Sequence, residues 1–143
     1  MQHAQQHAQA LLDYIDASPS PWHAVQTTVN ELNKAGFSEL LEGEAWSLAA
    51  KGRYFVIRDD SSIIAFTTGS NTLASDGFRL IGAHTDSPGL RVKPKPDNQQ
   101  GEFHTVAVEV YGSPILATLS DRDLSLAGRV HLKQKVELRS TLV

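Results

Sequence analysis

Apolar residues fall at helical spacing near the start of the chain, where Leu11, Leu12, Tyr14 and Ile15 predict a helix over residues 8–17. Ser18-Pro19-Ser20-Pro21 ends it, because proline lacks the amide that the next turn would use. Ser20 then serves as an N-cap with Pro21 at the first helical position. Ala24, Val25, Val29 and Leu32 form the buried stripe of this second helix until Gly36 supplies a stop. After a mixed stretch around Trp46, residues 53–58 and 62–67 flank the polar turn Asp59-Asp60-Ser61, the pattern of a β-hairpin. Residues 78–83 predict a further strand, central in a sheet, because its second half is a short apolar run bounded by turn residues. That strand would deliver His84 at its C-terminal end.

Beyond Pro88 the pattern changes. Residues 90–96 are extended and carry alternate prolines, and Asp97-Asn98-Gln99-Gln100-Gly101 reads as a polar loop that marks a boundary. A second module then carries strands at residues 103–111, 126–133 and 136–142, the first broken by Gly112-Ser113-Pro114. The expectation is a helical hairpin followed by a mostly β body, with no element closing the last strand.

Composition narrows the chemistry. A chain of 143 residues with 41% hydrophobic and 20% charged residues can build one ordinary soluble core. Its net charge of −3 gives no electrostatic footprint for nucleic acid or anionic lipid, so neither is expected as a partner. With no cysteine, disulfides, thiolate metal sites and a cysteine nucleophile are all excluded, and any metal must be held by His, Asp or Glu. That usage suits the cytoplasm. The start is rich in Gln, His and Ala rather than basic and then apolar, and no stretch approaches the ~18–20 apolar residues of a membrane span. Neither a phosphate-binding glycine loop nor a Gly-x-Ser-x-Gly elbow is present.

The sharpest chemical signal lies in Gly82-Ala83-His84-Thr85-Asp86-Ser87-Pro88-Gly89-Leu90-Arg91. Residues i and i+2 of an extended backbone point to the same side, so the His84 imidazole and the Asp86 carboxylate can face one pocket while Thr85 points away. A neutral imidazole is a good zinc ligand, and a nearby carboxylate can orient it. The bland alternative is a strand-end His in a polar turn, with Asp86 capping the loop. The pair alone leaves both readings open.

The longer string resembles the signature of the aspartyl aminopeptidases. Val108-Glu109-Val110-Tyr111-Gly112 and the block from Asp121-Arg122-Asp123 to Val130 are similar to two further blocks of that family, in its order and near its spacing. Ala17-Ser18-Pro19-Ser20-Pro21-Trp22-His23-Ala24, Gly52-Arg53-Tyr54 and the segment 59–65 match as well, so the resemblance runs from Leu11 to about Lys133. It implies an α/β fold: residues 1–93 as the N-terminal part of a zinc-exopeptidase-like catalytic domain, a helical hairpin plus mixed sheet. Residues 94–143 would start an inserted β-rich dimerisation domain. It further implies a cytoplasmic, homo-oligomeric metalloprotease that removes N-terminal Asp or Glu from peptides with two zinc ions. His84 would ligate one zinc, and Asp86 would be the catalytic carboxylate that orients His84. In the family, zinc-bound water attacks the scissile carbonyl with a glutamate as general base. The family's remaining ligands and its Glu pair come from later sequence, so the chain is expected to be truncated and inactive alone. The family's glycine-rich, tryptophan-containing stretch before Asp121 is replaced here by residues 113–120, which leaves the packing of that loop open.

Other residues read more plainly. Asp121-Arg122-Asp123 is expected to be a solvated ion-pair cluster rather than a cation site. His3 and His7 lie near an exposed terminus, His23 is explained by capping, and His104 and His131 are expected on strand surfaces. Arg91, Lys93 and Lys95 fit an exposed edge strand. The rival reading of function is a non-catalytic module for self-association or for binding another subunit, because the ligands are few.

Overall fold

The computed structural model of the chain describes residues 2–70, 77–134 and 137–143. Packing divides it into two compact units, one of Met1–Thr85 with Ala127–Val143 and the other of Asp86–Leu126. The expected domain boundary at residues 93/94 falls inside a strand of the second unit.

In the first unit, α1 spans Gln2–Asp16 and α2 spans Pro21–Lys34. The second helix starts as its sequence dictates: Ser20 is extended at φ −142°, its hydroxyl accepts from the His23 amide, and Pro21 occupies the first turn. Ser20 Oγ also lies 2.7 Å from His23 Nδ1, so His23 serves the cap. At the other end Gly36 takes φ +77°, and the amides of Phe37 and Gly36 reach the carbonyls of Leu32 and Asn33. That pair of bonds is the Schellman closure, which satisfies two orphan carbonyls. The helices are tied by Tyr14, whose hydroxyl sits 2.7 Å from Thr28 Oγ1 and donates to the Ala24 carbonyl at 3.3 Å. Ala24 and Val25 of α2 are buried.

A three-stranded mixed sheet follows, in the order β1 (Ser38–Glu39), β2 (Arg53–Arg58) and β3 (Ser62–Thr67). β2 and β3 pair antiparallel in the register expected from their flanking turn, and β1 adds a short parallel edge. Asp59 and Asp60 take φ +51° and +56°, a left-handed turn that aspartate tolerates better than most residues. Phe55, 1% exposed, is the centre of this core, and burying it contributes roughly 1.5–3 kcal/mol. The Phe66 ring packs against Tyr54 and Trp46 on the sheet. β6 (Arg129–Gln134) and β7 (Glu137–Leu142) make an antiparallel ribbon in the same unit, extended by two bonds between Gly128 and Val143. The expected strand over 136–142 therefore begins at Glu137, and Val136 lies outside the described residues.

The second unit is built on β4 (Gly89–Gln100) and β5 (Phe103–Tyr111), antiparallel, with a short 3-10 turn at Leu116–Leu119. Gln100 pairs with Phe103, so a two-residue turn with Gly101 at φ +63° joins the strands. The polar run 97–100, expected as a loop, is thus strand. Its ladder partners in β5 outweigh the low strand propensity of Asp, Asn and Gln. The register jumps between Val92 and Asp97, where residues 93–96 bulge opposite Ala107. Pro94 and Pro96 sit in that bulge because neither has an amide to give the ladder.

The strand expected over 78–83 does not form. Phe78, Leu80 and Ile81 are 83%, 90% and 97% exposed. A strand is a property of pairing, and among the described residues nothing ladders with this run. His84 therefore follows an unladdered segment rather than the end of a central strand.

Candidate functional site

The segment after that run is held by two side chains. Thr85 Oγ1 donates to the Ser61 carbonyl in the β2–β3 turn at 3.0 Å, which fixes the end of the first unit. Asp86 opens the second unit, where its carboxylate accepts a short hydrogen bond from the Tyr111 hydroxyl. His84 is exposed, and Asp86 is half-buried.

The ladder explains why Tyr111 meets Asp86. Gly89 pairs with Tyr111 as the first rung of β4–β5, so the residues just before Gly89 run beside the end of β5. Gly112 follows at φ +69°, and a Cβ there would stand 3.3 Å from Pro88 Cβ. Glycine thus lets the Ser87-Pro88 backbone approach closely. Arg91 pairs with Glu109, which makes Arg91 and Tyr111 diagonal neighbours on one face. Its guanidinium carbon lies 4.0 Å from the centre of the Tyr111 ring, a cation-π contact. The hydrogen bond to Asp86, and then its negative charge, hold the Tyr111 phenol above its usual range, while the Arg91 charge pulls the other way.

Sequence reasoning singled out His84 and Asp86 but assigned no role to Tyr111, which it met only inside a similar block. Arg91 was read as part of a basic edge. The two-residue spacing of Tyr111 from Glu109, the ladder partner of Arg91, could have found the contact, but only once the register was known.

Among the described residues no three His, Asp or Glu side chains gather at metal-binding spacing. A catalytic zinc takes three protein ligands, so the described residues do not by themselves compose a zinc site. Arg122 pairs with Asp121 at 3.6 Å with both side chains well exposed, as a solvated charge cluster does. His3, His7, His104 and His131 are exposed.

A cleft of about 640 Å³ lies within the first unit, lined by Trp22, Val25, Val29, Ile57 and Arg129 among others. The Arg129 guanidinium stands 5.2 Å from the Trp22 ring centre and pairs with Asp60 at 2.9 Å. Neither His84 nor Asp86 lines it. Among the described residues, no helix is long and apolar enough to cross a membrane.

Known proteins share both the sequence and the architecture. The probable M18 family aminopeptidase 2 of Pseudomonas fluorescens (strain Pf0-1) is 50% identical over 135 residues, which cover 94% of this chain and 32% of the relative. The chain thus spans about a third of the length of the curated relatives it matches. The cryo-EM structure of the Ape4 and Nbr1 complex superposes with a TM-score of 0.92 at 41% identity, over 99% of this chain and 27% of that one. The S. cerevisiae mApe1 dodecamer superposes at 0.87 and 31% identity, over 99% and 34% of the two chains. These neighbours carry the same N-terminal architecture of two helices, a mixed sheet and further strands. The model of the Aminopeptidase I zinc metalloproteases (M18) matches residues 14–143, nine-tenths of the sequence, and the chain belongs to that family.

Proposed function

We propose that this chain is part of a zinc aminopeptidase that releases N-terminal Asp or Glu from peptides, and that the 143 residues alone are inactive. The observation that carries the reading is the M18 match across residues 14–143. The preference for acidic residues rests on the similarity of the 82–94, 108–112 and 121–130 blocks to aspartyl aminopeptidases. Because the chain spans about a third of its relatives, the activity is assigned to the complete protein. By the resemblance, residues 1–93 belong to its catalytic domain and 94–143 start its dimerisation domain, a division that differs from the compact units of the fold.

His84 supplies one ligand to one of two zinc ions, and Asp86 orients that imidazole. The chemistry of the donors supports this: a neutral imidazole suits zinc, and metal-bound His is commonly held by a carboxylate. The described residues fall short of a complete ligand set, so no catalytic step is assigned to this chain. Assembly into a homo-oligomer draws support from the mApe1 neighbour, which is a dodecamer. The lack of cysteine fits a cytoplasmic setting.

The test is an assay of the complete protein on peptides that differ only in the first residue. Chelator-sensitive turnover of N-terminal Asp and Glu peptides well above that of Ala or Leu peptides is expected, with none from the 143-residue chain. Preference for Leu or Ala would overturn the acidic specificity. Turnover by the short chain would overturn its inactivity.

A further inference from the structure

We propose that Tyr111 is a positioning residue for the active site: its phenol fixes the Asp86 carboxylate, and Arg91 fixes the phenol ring. The inference rests on the reading of Asp86 as the carboxylate that orients His84.

Three observations converge on Tyr111, all within the unit Asp86–Leu126. Its hydroxyl donates to Asp86. Its ring carries the Arg91 guanidinium at 4.0 Å. Its backbone is locked as the first rung of β4–β5, with Gly112 beside it making room for Pro88. A tyrosine kept only for packing has no need to give its single O–H to a carboxylate that water can also reach in part. Here the ring is clamped from one face, so the O–H arrives at a fixed point. A carboxylate offers about four lone-pair sites, so accepting from Tyr111 leaves Asp86 able to accept from an imidazole N–H as well. The phenol thereby selects one orientation of Asp86, as hydrogen-bonded carboxylates behind metal-binding histidines are selected elsewhere.

Tyr111→Phe removes the hydroxyl and keeps the ring under Arg91. In the complete enzyme it should lower kcat by about 10–100-fold, the usual cost of losing such an outer partner, with KM and zinc content nearly unchanged. In an Asp86→Ala background the same change should cost almost nothing more, because the two act through one bond. A purely structural tyrosine would instead give additive losses, and additivity would overturn the inference. So would wild-type kcat in Tyr111→Phe where Asp86→Ala is impaired, a result that leaves the reading of Asp86 standing. If Asp86→Ala itself kept full kcat and zinc, that reading would fall and take the inference with it. In the 143-residue chain, proton NMR should show a Tyr111 hydroxyl protected from exchange and lost in Asp86→Ala. Fast exchange in the unaltered chain would contradict the geometry.

Discussion

Tyr111 and Asp86 stand 25 positions apart, and the bond between them depends on the β4–β5 register rather than on either residue's neighbours in the chain. Its electrostatic consequence can be measured. The Asp86 carboxylate raises the Tyr111 phenol from its usual value near 10, because it accepts from the neutral form and repels the phenolate. A raised value in the folded state means that the contribution is full below the unfolded pKa and is lost as pH rises through the folded one. Asp86→Asn removes the charge, so the Tyr111 phenol should titrate at lower pH, followed by ¹³Cζ chemical shift or absorbance near 295 nm. An unchanged titration would mean that Asp86 is not its partner. His84 and Asp86 drew attention because the string around them resembles a family signature, since the pair alone fits a polar turn as well. Tyr111 did not, because a tyrosine at a strand end is ordinary until its partner is known.

Elements with local causes were the legible ones. Ser20, Pro21 and Gly36 set the bounds of α2 through capping and backbone preference, and the 53–58/62–67 hairpin is set by its turn and alternation. Residues 78–83 and 97–100 went the other way because strand identity depends on distant pairing: one apolar run found no ladder among the described residues, and one polar run found a good one. The short edge β1 carries no pattern at two residues and was missed. The cap makes a quantitative test. Ser20 is 8% exposed and its hydroxyl serves both the amide and the ring of His23. Ser20→Ala should cost about 1 kcal/mol, seen as a lower midpoint in urea with the slope unchanged. Ser20→Asp, which can also cap, should recover most of it. Equal loss in both variants would place Ser20's role in packing instead.

At the scale of the whole molecule, family membership was readable because several ordered blocks are more specific than any one motif, and the M18 match covers nearly all of them. The catalytic assembly was not, since the described residues bring together no three metal-binding side chains. Phe78, Leu80 and Ile81 lie open because no strand among the described residues pairs with their run. His84 is proposed as one ligand of a zinc site for which the described residues do not gather a full ligand set. Zinc calorimetry on the purified chain tests it most directly. A weak isotherm that His84→Ala barely alters is the predicted result, because one imidazole ligand holds zinc poorly without the others a site needs. Tight one-to-one binding that His84→Ala abolishes would contradict it.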